Sequence, residues 1–244
     1  MWVDVHSHLL PEVDDGPHDW EESLALAAFA AERGTEVLVC TPHDLPDVYD
    51  NPPERILPLL EEFQARLDAD GLPLRVLPGN EVYLVAESIG RLDRGELNFL
   101  GGASRSLLVE LPVGSWPMGP EGVESLLFEL SVRDVTPVLA HVERYEALRR
   151  DPHLLGRLVE RGCVGQTNAS AVAGREGKTT QRLVLEWLRK GWVRLLGSDG
   201  HSAQRPPSMR SAREVLRGQR NGTALLARID ADSERLLHGE RPTT

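Results

Sequence analysis

Seven short apolar runs alternate with longer amphipathic segments through almost the whole chain, and this alternation limits the fold more than any other feature. The runs are "WVDV" (2–5), "EVLVCT" (36–41), "LRVLPG" (74–79), "SLLVEL" (106–111), "TPVLAH" (136–141), "CVGQTN" (163–168) and "VRLLGS" (193–198). Between them the spacing predicts helices over Trp20 to Glu32, Glu54 to Leu67, Gly122 to Arg133, Asp151 to Glu160 and Thr180 to Lys190. Asp19 and Thr179 stand where N-caps belong, and Gly34, Gly71 and Gly191 where helices end. Strands that alternate with helices pair in parallel, because the crossover helix returns the chain to the same edge. The fold class is therefore α/β, with a parallel sheet either open or closed into a barrel. A chain of 244 residues, 41% hydrophobic, can bury a full core. No low-complexity stretch or change of composition marks a linker, so a single domain over 1–244 is expected.

The bulk chemistry excludes several functions. A net charge of −11 opposes a nucleic-acid footprint, which needs clustered Lys and Arg. No apolar stretch approaches the roughly 20 residues of a membrane span, so no membrane insertion is expected. The N-terminus lacks a signal-peptide layout, and the expected location is cytoplasmic. Cys40 and Cys163 both sit in strand-like runs and suggest buried thiols rather than a disulfide framework. Neither begins the Cys-x5-Arg signature of thiolate phosphatases, since Pro46 and Ala169 occupy the arginine position.

The ionisable residues cluster where the apolar runs stop. His6 and His8 follow the first run, His43 the second and Glu81 the third; Glu110 ends the fourth, His141 ends the fifth, and Asp199 and His201 follow the seventh. In a parallel barrel the carboxyl ends converge on one face, where active sites are built. Each residue has a plainer explanation on its own. "VDDG" (13–16) reads as a turn, His43 as a loop residue, His141 as a satisfied core histidine, and Glu110 as a partner for Arg144. Their common placement at the same end of different strands favours a metal site instead. Imidazoles and carboxylates without thiolates suit Mn, Fe or Zn. His18, His153 and His238 fall near helix ends or in the tail and are read as surface residues.

The motifs "DVHSH" with "VDDGP", "TPHD", "GNEVY", "LLVELP", "LAHVERY" and "GSDGH" followed by "RPP" resemble, in order and spacing, the polymerase and histidinol phosphatase (PHP) superfamily over about residues 2–238. Within it they are most similar to the bacterial manganese-dependent protein-tyrosine phosphatases of capsule and exopolysaccharide operons. The resemblance implies a distorted (β/α)7 TIM-like barrel, the PHP fold, with three metal ions. It assigns His6, His8, Glu81 and Asp199 to one ion. Glu81 would bridge to a second ion, held with Glu110 and His141. Asp15, His43 and His201 would hold the third. Arg144 in "VERY" and Arg205 before "PP" match the arginines that relatives use at the site. The implied partner is a phosphotyrosine-bearing protein, the tyrosine-rich tail of an autokinase. The chain departs from these relatives at Asn80, a change expected to matter little, in a shorter spacing from His201 to Arg205, and in the acidic loop after His43. Asp44, Asp47 and Asp50 of that loop are expected to disfavour acidic peptides.

Divalent ions lower the pKa of bound water from about 15.7 towards 7, which removes the need for a protein nucleophile. Arginines at such a site can grip phosphoryl oxygens in two-pronged fashion. A phenolate leaves readily because its conjugate acid has a pKa near 10, so aryl phosphates suit the chemistry. The alternatives are a small-molecule phosphatase such as histidinol phosphatase, an inactive metal-binding docking module, which the arginine pair disfavours, and an amidohydrolase. The last lacks a candidate for a modified lysine, since only Lys178 and Lys190 are present.

Overall fold

A computed structural model describes residues 1–114, 116 and 118–241. Among these residues nine strands form two parallel sheets. The first sheet has the order β1 (Val3–Ser7), β2 (Val37–Cys40), β4 (Arg75–Pro78). The second has the order β3 (His43–Asp44), β5 (Glu81–Tyr83), β6 (Ser106–Glu110), β7 (Thr136–Leu139), β8 (Val164–Asn168), β9 (Val193–Gly197). All seven expected runs are strands.

The two additional strands arise from breaks in expected ones. Pro42 offers no N–H to a ladder, so β2 stops and the chain resumes as β3 in the other sheet. The third run ends at Pro78, and after Gly79-Asn80 the chain resumes as β5 in the other sheet. These breaks tie the sheets together at one side. At the other side Ser7 bridges Gly200 in parallel, His8 N donates to Gly200 O at 2.8 Å, and Asp199 N donates to His6 O at 2.9 Å. The last strand therefore lies beside the first, and the sheets together make a distorted (β/α)7 barrel. A cluster of Val3, Val5, Val37, Val39, Leu108, Val138, Val164 and Leu195 draws on both sheets and fills the space between them.

Helices pack on the outside: α1 (Trp20–Glu32), α2 (Pro53–Ala69), α3 (Ala86–Asp93), α4 (Gly119–Val132), α5 (Glu146–Arg150), α6 (Pro152–Glu160), α7 (Ala169–Val172), α8 (Lys178–Lys190), α9 (Arg210–Arg217) and α10 (Gly222–Leu237). In α2 the buried stripe Ile56, Leu60, Phe63, Leu67 has the 4-3-4 spacing of one helix face and packs on β2 and β4 residues Leu38 and Val76. Asp19 caps α1 through Glu22 N at 2.9 Å, as expected. Thr179 is not a cap: α8 begins at Lys178 after Gly177, whose φ of 94° suits only glycine, so Thr179 lies inside the first turn.

The short α3, α5 and α7 are not among the expected helices, and neither are α9 and α10. Charges on the inner faces of α9 and α10 interrupt the apolar stripe, and each is matched only in three dimensions. Arg213 grips Asp230 at 2.6 and 2.7 Å, and Arg194 grips Asp232 at 2.7 and 2.9 Å. No helix of the described residues is long and apolar enough to cross a membrane.

Candidate metal centre

The two breaks that split the sheets also build the site. His43 and Glu81 do not trail the ends of β2 and β4; they open β3 and β5, where they are direct parallel partners. Parallel register places their side chains on neighbouring positions of one face. Glu110 is the last residue of β6, His6 lies in β1 with His8 just beyond it, and His141, Asp199 and His201 follow β7 and β9. His141 and Asp199 have φ of 29° and 53°. A non-glycine residue in the left-handed region costs about 1–3 kcal/mol and persists where the surroundings dictate it, and both of these side chains turn into the cluster. Gly197 leaves room for it, since a Cβ there would lie 2.4 Å from the Cβ of His6.

The nine expected residues converge. Glu81 Oε2 lies 3.2 Å from His6 Nε2, 3.2 Å from His8 Nε2 and 3.1 Å from His43 Nδ1. His141 Nε2 is 2.8 Å from Glu81 Oε1 and 3.5 Å from Glu110 Oε1. Asp199 Oδ1 is 3.6 and 3.7 Å from the Nε2 atoms of His6 and His8. Asp15 Oδ1 is 3.5 Å from His43 Nε2 and 3.3 Å from His201 Nε2. Three groups have ligand atoms close enough together to hold an ion: His8, Asp15, His43 and His201; His6, His8 and Glu81; and His43, Glu81 and Glu110. His43 thus reaches Glu81 as well as Asp15, and His8 reaches two groups, a more interwoven arrangement than three separate ligand sets.

The proton inventory fits cations at the centre. His6 Nδ1 meets the Gln166 carbonyl oxygen at 3.2 Å and His8 Nδ1 meets Asp14 Oδ2 at 2.7 Å, so both Nδ1 atoms act as donors. In the neutral rings the two Nε2 lone pairs then face each other at 3.1 Å. Glu81 Oε2 is buried without a hydrogen-bond partner although three imidazoles surround it. Lone pairs and an unpartnered carboxylate oxygen converging in a buried site call for a shared positive charge, which a metal ion would supply.

Local fields agree. Burial pushes the Glu81 and Asp199 carboxyls up, but the His6 and His141 imidazoles outweigh it and hold both below the usual carboxylate range. Burial, and after it the charge of His8, lowers His43 to about 4, which leaves it neutral and able to ligate at pH 7. Burial lowers His8, yet Asp14 and Glu81 more than compensate, so this position favours a positive charge, proton or cation. Burial and the Glu81 carboxylate raise Glu110. The hydrogen bond to His201 leads in holding Asp15 down.

Several supporting residues escape a reading based on ionisable groups at strand ends. Asp14 accepts from His8 Nδ1, from His43 N at 3.0 Å and from Gly16 N at 3.0 Å, while its neighbour Asp15 faces the cluster. Gln166 Oε1 joins His6 Nδ1 to His141 N, the latter at 2.7 Å. Asn168 Nδ2 donates to Asp199 Oδ2 at 2.8 Å. Their signal was a pair of polar residues two apart inside an apolar strand, "CVGQTN". Asn80, expected to matter little, is fully buried; it donates to Asn51 O at 3.1 Å and accepts from Asn98 N at 2.7 Å. Asn51 in turn donates to His43 O at 2.7 Å, so Asn80 braces the turn that carries His43.

Arg144 and Arg205 border the cluster. Arg205 reaches Asp199 Oδ2 at 2.8 Å and Arg144 the same oxygen at 3.5 Å, so the short spacing after His201 does not turn Arg205 away. Both stay part-exposed, at 40% and 47% for Arg144 and Arg205, and line a pocket of about 240 Å³ with Leu45 and Tyr49. The acidic loop is less acidic towards this pocket than its composition implies. Arg91 pairs with both Asp44, at 3.0 Å, and Asp50, at 2.6 Å. Cys40 and Cys163 are free and buried; burial raises both thiols, Cys163 to about 12. His18, His153 and His238 enter none of the three candidate groups.

The family model described as "Capsular polysaccharide synthesis, CpsB/CapC" matches residues 2–237. Tyrosine-protein phosphatase YwqE of Bacillus subtilis (strain 168) is 31% identical over 202 residues, covering 83% of this chain and 78% of that protein. A crystal structure from work on YwqE of Bacillus subtilis and CpsB of Streptococcus pneumoniae, unique metal-dependent tyrosine phosphatases, superposes with a TM-score of 0.90 at 29% identity and covers 99% of both chains. The histidinol phosphate phosphatase of Lactococcus lactis subsp. lactis Il1403 shares the fold, with a TM-score of 0.56 at 12% identity over 93% of each chain. With the family model spanning nearly the whole sequence and the strand-end cluster intact, the chain belongs to the CpsB/CapC capsular polysaccharide synthesis family.

Proposed function

We propose that this chain is a metal-dependent phosphoric monoester hydrolase acting on phosphotyrosine in proteins. The observation that carries the reading is the pairing of two features in one pocket: imidazole nitrogens and carboxylate oxygens facing one another around Glu81, and two arginines at their edge. The likeness to YwqE over most of the chain supports it. In this reading His6, His8, Glu81 and Asp199 hold one ion. Glu110 and His141, together with Glu81, would hold a second, and Asp15, His43 and His201 would hold a third. Manganese is the expected metal, with Fe or Zn compatible with the same donors.

When bound, the ions supply hydroxide at neutral pH and offset phosphoryl charge. The chain's own residues position the substrate. Arg144 and Arg205 swing from Asp199 Oδ2 to the non-bridging phosphoryl oxygens and stabilise the charge that builds on them in the transition state. Leu45 and Tyr49 offer the phenyl ring an apolar wall; Tyr49 already stacks on His43, with ring centroids 5.8 Å apart. Gln166 and Asp14 keep His6 and His8 in the tautomer that presents Nε2 to a metal. The substrate in the cell is the tyrosine-rich tail of an autokinase that controls capsular or extracellular polysaccharide synthesis, met in the cytoplasm.

The test is metal analysis of protein purified without chelator, with kcat/KM measured on a phosphotyrosine peptide and on histidinol phosphate. More than one transition-metal ion per chain and a preference for the peptide are expected. Far faster turnover of histidinol phosphate would replace this reading with the small-molecule one.

A further inference from the structure

A second cavity, of about 460 Å³, opens beside the ligand pocket and shares Arg144, Asp199 and Arg205 with it. Anything seated there can be part of the same molecule whose phosphate lies between the two arginines. Its outer wall comes from the turn after α7, which carries Arg175 and Glu176, and from the segment between β9 and α9. Three of its lining residues are arginines, on a protein whose net charge is −11.

The two carboxylates in the wall are engaged. Asp199 receives Asn168 and both site arginines, and Glu176 accepts the Ser170 hydroxyl at 2.6 Å. The Arg175 guanidinium is exposed and, among the described residues, has no hydrogen-bond or ion-pair partner. In the loop after His43, Asp44 and Asp50 are held by Arg91, so they oppose an incoming carboxylate less than free acidic groups would. The walls are polar: Ser170, Ser208 and Gln204 suit a peptide backbone better than an apolar ligand.

We propose that this groove takes the polypeptide flanking the phosphotyrosine, and that Arg175 pairs with an acidic side chain on that segment. The inference rests on the phosphotyrosine reading and adds to it a sequence preference opposite to the one expected from the acidic loop. Arg175 is a specificity residue; it does not touch the reacting atoms.

The test compares phosphotyrosine peptides that differ only in Glu or Gln, placed one to three positions on either side of the phosphotyrosine. The metal-loaded wild type is measured beside Arg175→Lys, Arg175→Gln and Arg175→Glu. The readout is the ratio of kcat/KM for the Glu peptide to that for the Gln peptide within each protein, so any general loss of activity cancels. At low salt the ratio is expected to exceed one by about two- to fivefold in wild type, since an exposed ion pair is modest. It should hold in Arg175→Lys, fall to about one in Arg175→Gln and drop below one in Arg175→Glu. High salt should bring it towards one, because exposed charges are screened over about 8 Å at physiological ionic strength. A ratio equal in all four proteins overturns the groove assignment. The phosphotyrosine reading is judged separately, on the wild type alone. If histidinol phosphate outpaces every peptide, that reading fails whatever Arg175 does.

Discussion

The floor of the site and its rim are built on different principles. On the floor, His6, His8, Glu81, His141 and Asp199 are all buried; His6 Nδ1, His8 Nδ1 and Asp199 Oδ2 are tied to Gln166, Asp14 and Asn168, while His141 Nδ1 is buried without a hydrogen-bond partner. On the rim, Arg144 and Arg205 are 40% and 47% exposed, and both rest on a single carboxylate oxygen. Buried ligands held by outer partners have little freedom to reorient, whereas a long cationic side chain in solvent can follow its anion. Under the proposed function, the floor would hold ions that stay, and the rim a phosphate that arrives and leaves.

Metal removal should break the floor outright. Exhaustive chelation is expected to abolish phosphotyrosine hydrolysis and to lower the melting temperature, because carboxylates gathered around Glu81 and Asp199 lose their counter-charge. Full turnover in a preparation free of metal by elemental analysis would contradict the whole assignment. Asp199→Ala and His141→Ala should come close to the same loss, with reduced metal content. Cys40→Ser and Cys163→Ser should leave activity in place; an equal loss there would reopen a covalent thiolate route.

The rim should fail differently. Arg205→Ala is expected to lower kcat/KM by about 10²–10³-fold, the usual consequence of removing one transition-state donor, while metal content stays at the wild-type level. Arg205→Lys should fall in between, because an ammonium cannot reproduce a two-pronged grip. Loss of metal in these variants would show that rim and floor are one unit.

Outer partners of the floor come next. Asp14→Ala or Gln166→Ala should weaken metal affinity by about 10–100-fold with the ligands themselves intact, as measured by competition with a chelating dye. Unchanged affinity would mean that the hydrogen bonds to His8 and His6 orient nothing. The smallest expected effect belongs to Asn80→Ala. It leaves buried amide partners of Asn51 and Asn98 unmet and should cost about 1–3 kcal/mol of stability by denaturant unfolding. Activity should suffer less than from any ligand change, because Asn80 reaches His43 only through Asn51.

Much of the floor was legible in the sequence for a simple reason: strand periodicity locates the carboxyl ends, and a histidine or carboxylate at such an end is conspicuous beside apolar residues. Asp14 was not legible, because "VDDG" offers two equivalent aspartates and only packing makes one a ligand candidate and the other a support. Gln166 and Asn168 carry no charge, and a neutral polar residue in a strand announces a partner without naming it. Charge in the sequence also misled: Asp44 and Asp50 look like a free acidic loop until Arg91, 41 residues on from Asp50, is seen between them.

What the chain determined by itself was therefore its local periods: where strands and helices run, which positions are chemically active, and that they lie at one end of a parallel sheet. Those features depend on neighbours within a few residues, so they survive in a linear reading. Only the tertiary structure decided that Pro42 and Pro78-Gly79-Asn80 would split two strands and set His43 opposite Glu81, and that His8 would serve two ligand groups at once. It also decided that α10 would bury the carboxylate of Asp232 against Arg194, 38 residues away in sequence, and pair Asp230 with the buried Arg213 of α9. Those outcomes rest on contacts between residues tens to hundreds apart. Their energy depends on distance and on the exclusion of water, neither of which the linear order of residues specifies.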